Sequence, residues 1–212
     1  MNSASFSKFD PTRVPSPCFV VDEVAVERNL QVLERVRIES GAKVLCALKA
    51  FSLWYLAPLV ARYLDGICAS GYNEARLGRE EYGGEVHVYS AAFTDADMLR
   101  VLPLADHMVL NSVNQWQRFQ THLLAEQARR PALSFGLRIN PEHSEGAVPI
   151  YDPCAPGSRL GIPLSQLPEA LPEGIDGLHF HVLCEQNFGP LARTLDEVER
   201  RIGPLLATLK WV

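Results

Sequence analysis

The chain has 212 residues, 47% of them hydrophobic, and a formal net charge of −5 with acidic and basic residues mixed throughout. That is ample for a packed core, but it supplies no basic stripe for nucleic acid and no apolar run near the ~20 residues of a membrane span. Residues 1–17 are polar, without a signal-peptide core, and the five scattered cysteines (Cys18, Cys46, Cys68, Cys154, Cys184) form neither a disulfide framework nor a C-x-x-C pattern, so a soluble cytoplasmic protein with reduced thiols is expected.

A short strand pattern at 17–22 comes first. Asp22 is then placed to cap a helix in which Val26, Leu30, Leu33 and Val36 share an apolar stripe up to Gly41. The run Lys43-Val44-Leu45-Cys46-Ala47-Leu48-Lys49-Ala50 has strand length and is apolar on both faces, the pattern of a parallel strand covered on both sides. Alternation puts Leu45, Ala47 and Lys49 on one face. A lysine ending such a strand either snorkels into water or, if desolvated, becomes a usable amine for a Schiff base.

Helix patterns at 56–64, 73–82, 95–102 and 112–128 then alternate with strand patterns at 66–70, 86–90, 108–111 and 133–140, and Trp116 and Phe119 share one side of the last helix. Beyond these lie a strand at 177–183, a helix faced by Leu191, Leu195, Val198, Ile202 and Leu205, and a strand pattern at 209–212. Regular alternation of this kind predicts the α/β class with parallel strands. Seven strands after the first short one predict a (β/α)8 TIM-type barrel, incomplete at its C-terminal end because the chain stops inside an apolar strand pattern. The stretch 141–163 is long, irregular and rich in turn residues, which suggests a binding or lid role.

Two further strands end in residues that carry chemistry. In Ser134-Phe135-Gly136-Leu137-Arg138-Ile139-Asn140, Arg138 lies near the carboxyl end and needs an anion, supplied either by the protein or by a ligand. In Leu178-His179-Phe180-His181-Val182-Leu183-Cys184-Glu185-Gln186-Asn187, His179 and His181 point to one side. They read as satisfied core histidines, as ligands of a metal in a barrel hydrolase with Cys184 and Glu185 nearby, or as an imidazole lying on a planar cofactor held by Lys49. The convergence of Lys49, Arg138 and His181 at the ends of three strands favours the last.

Five strings carry a resemblance: Ala47-Leu48-Lys49-Ala50-Phe51, Asn73-Glu74-Ala75-Arg76-Leu77-Gly78-Arg79-Glu80, Leu137-Arg138-Ile139-Asn140-Pro141, Tyr151-Asp152-Pro153-Cys154-Ala155-Pro156-Gly157-Ser158-Arg159-Leu160-Gly161 and His179-Phe180-His181-Val182-Leu183-Cys184-Glu185-Gln186-Asn187. From about Pro15 to Val212 the chain resembles the carboxynorspermidine/carboxyspermidine decarboxylases, pyridoxal-phosphate enzymes of the alanine racemase-like fold and relatives of ornithine and diaminopimelate decarboxylases. The resemblance implies decarboxylation of carboxynorspermidine or carboxyspermidine in polyamine biosynthesis, a small-molecule substrate, pyridoxal 5'-phosphate as cofactor and a homodimer when full length. It also implies that Lys49 holds the cofactor aldehyde, that His181 stacks on its ring and that Arg138 lies beside it. Cys184 stands where relatives carry a phosphate-binding serine, and Ile67-Cys68-Ala69-Ser70 lacks the acid those relatives place on the second strand.

By the same resemblance, residues 1–22 form an N-terminal segment whose strand would pair with a C-terminal β-domain missing from this chain, and 23–212 form a truncated cofactor-binding barrel. The phosphate-binding glycine loop, the acid at the pyridine nitrogen and the cross-subunit residues would lie beyond Val212, so the 212 residues alone are expected to be inactive. The rivals are the metal-dependent hydrolase using His179 and His181 and a non-catalytic single-barrel pyridoxal-phosphate protein.

Overall fold

The computed structural model describes residues 9–212, so the first eight residues of the expected 1–22 segment lie outside the described residues. Asp22 caps α1 (Glu23–Ser40) by accepting a hydrogen bond from Ala25 N, and Gly41 closes the helix in the left-handed region at φ 72°. Of the predicted stripe, Leu30 is buried and Val26 packs against the core, whereas Leu33 and Val36 are exposed. Residues 17–22 form no strand, and Phe19, Val20 and Val21 are exposed: a strand needs a hydrogen-bonded neighbour, and none of the described residues pairs with this segment.

Seven parallel strands follow: β1 (Leu45–Ala47), β2 (Gly66–Ala69), β3 (Glu85–Tyr89), β4 (His107–Leu110), β5 (Ser134–Asn140), β6 (Ile162–Pro163) and β7 (Ile175–His179). They are separated by α2 (Ala57–Val60), α3 (Tyr72–Leu77), which runs into a π-helical turn (Gly78–Tyr82), α4 (Asp95–Val101) and α5 (Val113–Arg129). After β7 comes α6 (Phe188–Leu206), bent at Ile202 ahead of Pro204. The order β1-β2-β3-β4-β5-β7 ends in a parallel bridge from Gly177 to Trp211, giving an open arc of a (β/α) barrel. The two-residue β6 pairs with Ile139 and Asn140, beyond the last β4–β5 pair at Leu110 and Leu137.

The core lies between the outer face of this arc and the helices. Ile67, Val86, Val88, Met108, Leu110, Phe135, Leu137 and Leu178 point outward and are buried with Trp116, Phe119 and Leu123 of α5 and Met98 and Val101 of α4. Trp116 is fully buried and its ring lies 5.5 Å from that of Phe135. The opposite alternation, with period two, sends Ala47, Cys68, His87, His107 and Ser134 to the concave face in one tier. Tyr89, Val109, Gly136 and Gly177 form the next tier toward the carboxyl ends, and Arg138 and His179 the last. Trp211 fills the space over Gly136 and Gly177, where a Cβ would stand 2.3 and 2.2 Å from its ring.

Candidate active site

The concave face encloses a cavity of about 870 Å³ whose walls include Leu45, Ala47, Lys49, Tyr89, His179 and His181. The sheet therefore delivers the predicted face of the first strand, but β1 is shorter than the 43–50 run. It ends at Ala47, whose carbonyl oxygen accepts from Ala50 N and Phe51 N, so Lys49 sits in the turn that follows and is exposed at the cavity rim. The physical reason is its place in the arc: β1 is an edge strand with β2 as its neighbour among the described residues, so its inner face meets open space.

Arg138 is 5% exposed. Its guanidinium donates to His181 O at 3.2 Å, lies 4.8 Å from the centre of the Tyr89 ring and leaves Nε without a partner. Among the described residues it forms no ion pair. Leaving a buried cation without a counter-charge is costly (about 3–5 kcal/mol when a buried pair is broken), so Arg138 has unmet capacity for an anion. His179 sits beside it, its ring 5.2 Å from Tyr89 and its Nδ1 buried without a partner. Burial first, then the charges of Arg138, His181 and Lys49, push its pKa down to about 3. His181 lies just past the end of β7, lines the cavity and has its pKa lowered by burial and by the positive charges of Lys49 and Arg138. The structure thus brings Lys49, Arg138, His179 and His181 to one end of the arc.

Cys184 is exposed in the loop that leads from β7 to α6, three residues before the Asn187 cap position. Its neighbour Glu185 holds a left-handed backbone at φ 52°, a strained state for a non-glycine residue. The 141–163 stretch differs from a free lid. Residues 152–161 are pinned to the ends of the strands through Asn140 Nδ2 to Pro153 O, Asn111 Nδ2 to Arg159 O and Gly161 N to Asn111 Oδ1, while Val148, Ile150 and Tyr151 stand exposed.

Two groups escaped the sequence reading. Tyr89 and Asn111 belong to the site, and the signal for Tyr89 was the polar alternation Glu85, His87, Tyr89 along β3. Toward the amino ends of the strands, Glu85, His87 and His107 gather: His87 Nε2 lies 2.9 Å and His107 Nε2 3.8 Å from Glu85 Oε2, and Lys43 pairs with the other carboxylate oxygen. One ligand atom from each of the three residues lies within 4.8 Å of the others, and the two imidazoles are stacked at 4.1 Å and 19°. Burial lowers the pKa of both.

No protein-family model matches the chain. Among curated proteins it is 40% identical over 199 residues to carboxyaminopropylagmatine decarboxylase of Synechocystis sp., covering 94% of this chain and 50% of that protein. It is 38% identical over 200 residues to carboxynorspermidine/carboxyspermidine decarboxylase of Herminiimonas arsenicoxydans, covering 94% and 53%. This chain is similar to the carboxynorspermidine/carboxyspermidine decarboxylases. It spans about half the length of the curated decarboxylases it matches. The crystal structure of carboxynorspermidine decarboxylase from Campylobacter jejuni complexed with norspermidine superposes with a TM-score of 0.82 at 33% identity, over 94% of this chain and 50% of that one. The arc of parallel strands is therefore the arrangement found in a decarboxylase of this kind.

Proposed function

We propose that the protein containing this chain is a pyridoxal-phosphate-dependent decarboxylase of carboxylated polyamines, taking carboxynorspermidine or carboxyspermidine to norspermidine or spermidine. The observation that carries this reading is Arg138, a buried guanidinium with no carboxylate partner among the described residues, held behind Tyr89 and His181 of the wall of a cavity rimmed by the amine of Lys49. An anionic aromatic aldehyde fits that donor set: the amine can condense with the aldehyde, Arg138 offers unpaired N–H groups, and neutral imidazoles offer flat faces to a ring. When bound, pyridoxal phosphate supplies an electron-withdrawing ring that accepts the electron pair released as carbon dioxide leaves.

The protein's part is positioning. Lys49 would hold the cofactor aldehyde and, once displaced by the substrate amine, would stand at the rim with a nitrogen able to move a proton. His181, exposed at the cavity wall and with its pKa lowered by partial desolvation and by the charges of Lys49 and Arg138, would lie against the ring. Arg138 would fix the ligand's orientation, and Cys184, ahead of α6, would lie near the phosphate as a weak donor. A homodimer and a cytoplasmic location go with this reading through the family resemblance. No helix among the described residues is long and apolar enough to cross a membrane.

The substrate's amine tail is the open choice, because the two curated relatives name different ones, an alkylamine and the guanidino-bearing agmatine. The test is release of carbon dioxide by the full-length protein from carboxynorspermidine, carboxyspermidine and carboxyaminopropylagmatine with added pyridoxal phosphate. Turnover of either of the first two above the third supports the proposal, and preference for the agmatine derivative or no release from any of them overturns it.

A further inference from the structure

The loop at 159–161 and Tyr89 of β3 are far apart in sequence, yet one side chain joins them. Asn111, the residue after β4, accepts at Oδ1 from Tyr89 Oη at 2.9 Å and from Gly161 N at 2.8 Å, and donates from Nδ2 to Arg159 O at 2.8 Å. Its own backbone N–H donates to Gln115 Oε1 at 2.7 Å, which anchors it to the first turn of α5. The amide is used on both its donor and acceptor sides, so its orientation is fixed by its partners.

What Asn111 joins are the two walls of the slot that holds Arg138. On one side the Gly161 backbone lies against the arginine stem: at φ 85° it has no Cβ, and one placed there would stand 2.9 Å from Arg138 Cγ and 2.8 Å from Ile139 C. On the other side the Tyr89 ring lies against the guanidinium at 4.8 Å. Arg138 makes no ion pair among the described residues, so this slot and the His181 carbonyl are what aim it. Long side chains lose about 2 kcal/mol of rotamer freedom when fixed, and an arginine aimed before its ligand arrives has met that cost in advance.

We propose that Asn111 is a positioning residue for Arg138: it clamps the 159–161 loop to Tyr89 and thereby holds the guanidinium against the Tyr89 and His181 wall of the cavity. This rests on reading the cavity as a pyridoxal-phosphate site, and the test separates the two. In the full-length protein, with and without pyridoxal phosphate, Asn111→Ala and Tyr89→Phe are compared with wild type by three readouts. These are amide hydrogen exchange of the segment containing Gly161, the titration of His179 followed by NMR of histidine-labelled protein, and the affinity for pyridoxal phosphate.

Asn111→Ala is expected to speed exchange at Gly161 and weaken pyridoxal phosphate by about tenfold each, the equivalent of roughly one net hydrogen bond. It should also move the His179 titration upward, because Arg138 is no longer held beside it, and Arg138→Met, which removes the charge but keeps a long apolar side chain over His179, should move it the same way. Tyr89→Phe, which keeps the Asn111–Gly161 bond and the ring, should leave Gly161 protected and weaken the cofactor by less. Wild-type His179 titration and cofactor affinity in Asn111→Ala overturn the proposal. If that variant does not fold, wild-type values of both in Tyr89→Phe overturn it instead. If the wild-type protein itself binds no pyridoxal phosphate, the proposed function fails, and exchange and titration still decide whether Asn111 holds Arg138.

Discussion

His179 gives the site an acid sensitivity that can be worked out in advance. Burial and the neighbouring charges of Arg138, His181 and Lys49 hold its folded pKa at about 3, against 6.5 for an ordinary histidine. Between those values the unfolded chain takes up a proton that the folded chain refuses. The unfolded state therefore binds more protons, and stability falls as pH drops from 6.5 toward 3, while above 6.5 the effect vanishes. Each pH unit well inside that window is worth about 1.4 kcal/mol, and the slope is half that at 6.5 itself, so roughly 2–2.5 kcal/mol is lost at His179 between pH 6.5 and 4.5. His179→Gln removes the titrating group and keeps a polar side chain. Urea unfolding of the full-length wild type and variant, followed by tryptophan fluorescence at pH 7 and 4.5, should show the stability gap moving in the variant's favour by about that amount. His87 and His107 also titrate low, but they are common to both proteins and cancel. A gap that stays constant, or moves toward the wild type on acidification, would refute the reasoning.

Gly177→Ala should be strongly destabilising, because its Cβ would stand 2.2 Å from Trp211 ring atoms. The expected loss is about 1–3 kcal/mol or more, read as a lower Tm, and Trp211→Leu in the same chain should recover part of it. An unchanged Tm would mean that the tryptophan does not occupy the arc interior. Arg138→Met should split two measurements that usually move together: stability unchanged or raised by about 1 kcal/mol, since a buried cation without a counter-charge is removed, and pyridoxal-phosphate affinity lowered by tenfold or more. A variant that unfolds while its folded fraction binds normally would contradict an anion-binding role.

The fold was legible where periodicity is long or punctuated. Asp22 and Gly41 mark both ends of α1, and the strand patterns at 66–70, 86–90, 108–111, 133–140 and 177–183 each correspond to a strand within a few residues. What escaped depends on neighbours distant in sequence. β6 is two residues long and exists because β5 outruns β4, which no local pattern encodes. The 17–22 pattern has strand composition but no partner strand among the described residues, and at 209–212 only Trp211 makes a bridge. Leu33 and Val36 of α1 fit the helical stripe yet remain exposed, because their period predicts a face and not what covers it.

At the site, Arg138 and His179 could be placed by strand alternation, which carries through β5 and β7 to their ends, whereas His181 lies two residues past the end of β7. Lys49 could not be placed so closely, because the strand turns two residues earlier than its apolar run suggests. Asn111 reads in the sequence as an ordinary residue between a strand and a helix. Its role becomes visible only when the 152–161 loop folds back over the strand ends and brings Gly161 and Arg159 to it.

In the proposed function the Lys49 amine, at the mouth of the arc, condenses with the aldehyde of pyridoxal phosphate. Borohydride reduction of the full-length protein with added pyridoxal phosphate, followed by peptide mass spectrometry, tests it most directly. A phosphopyridoxyl adduct on Lys49 that disappears in Lys49→Ala is expected, and an adduct on another lysine, or none, would rule the aldehyde-binding role of Lys49 out.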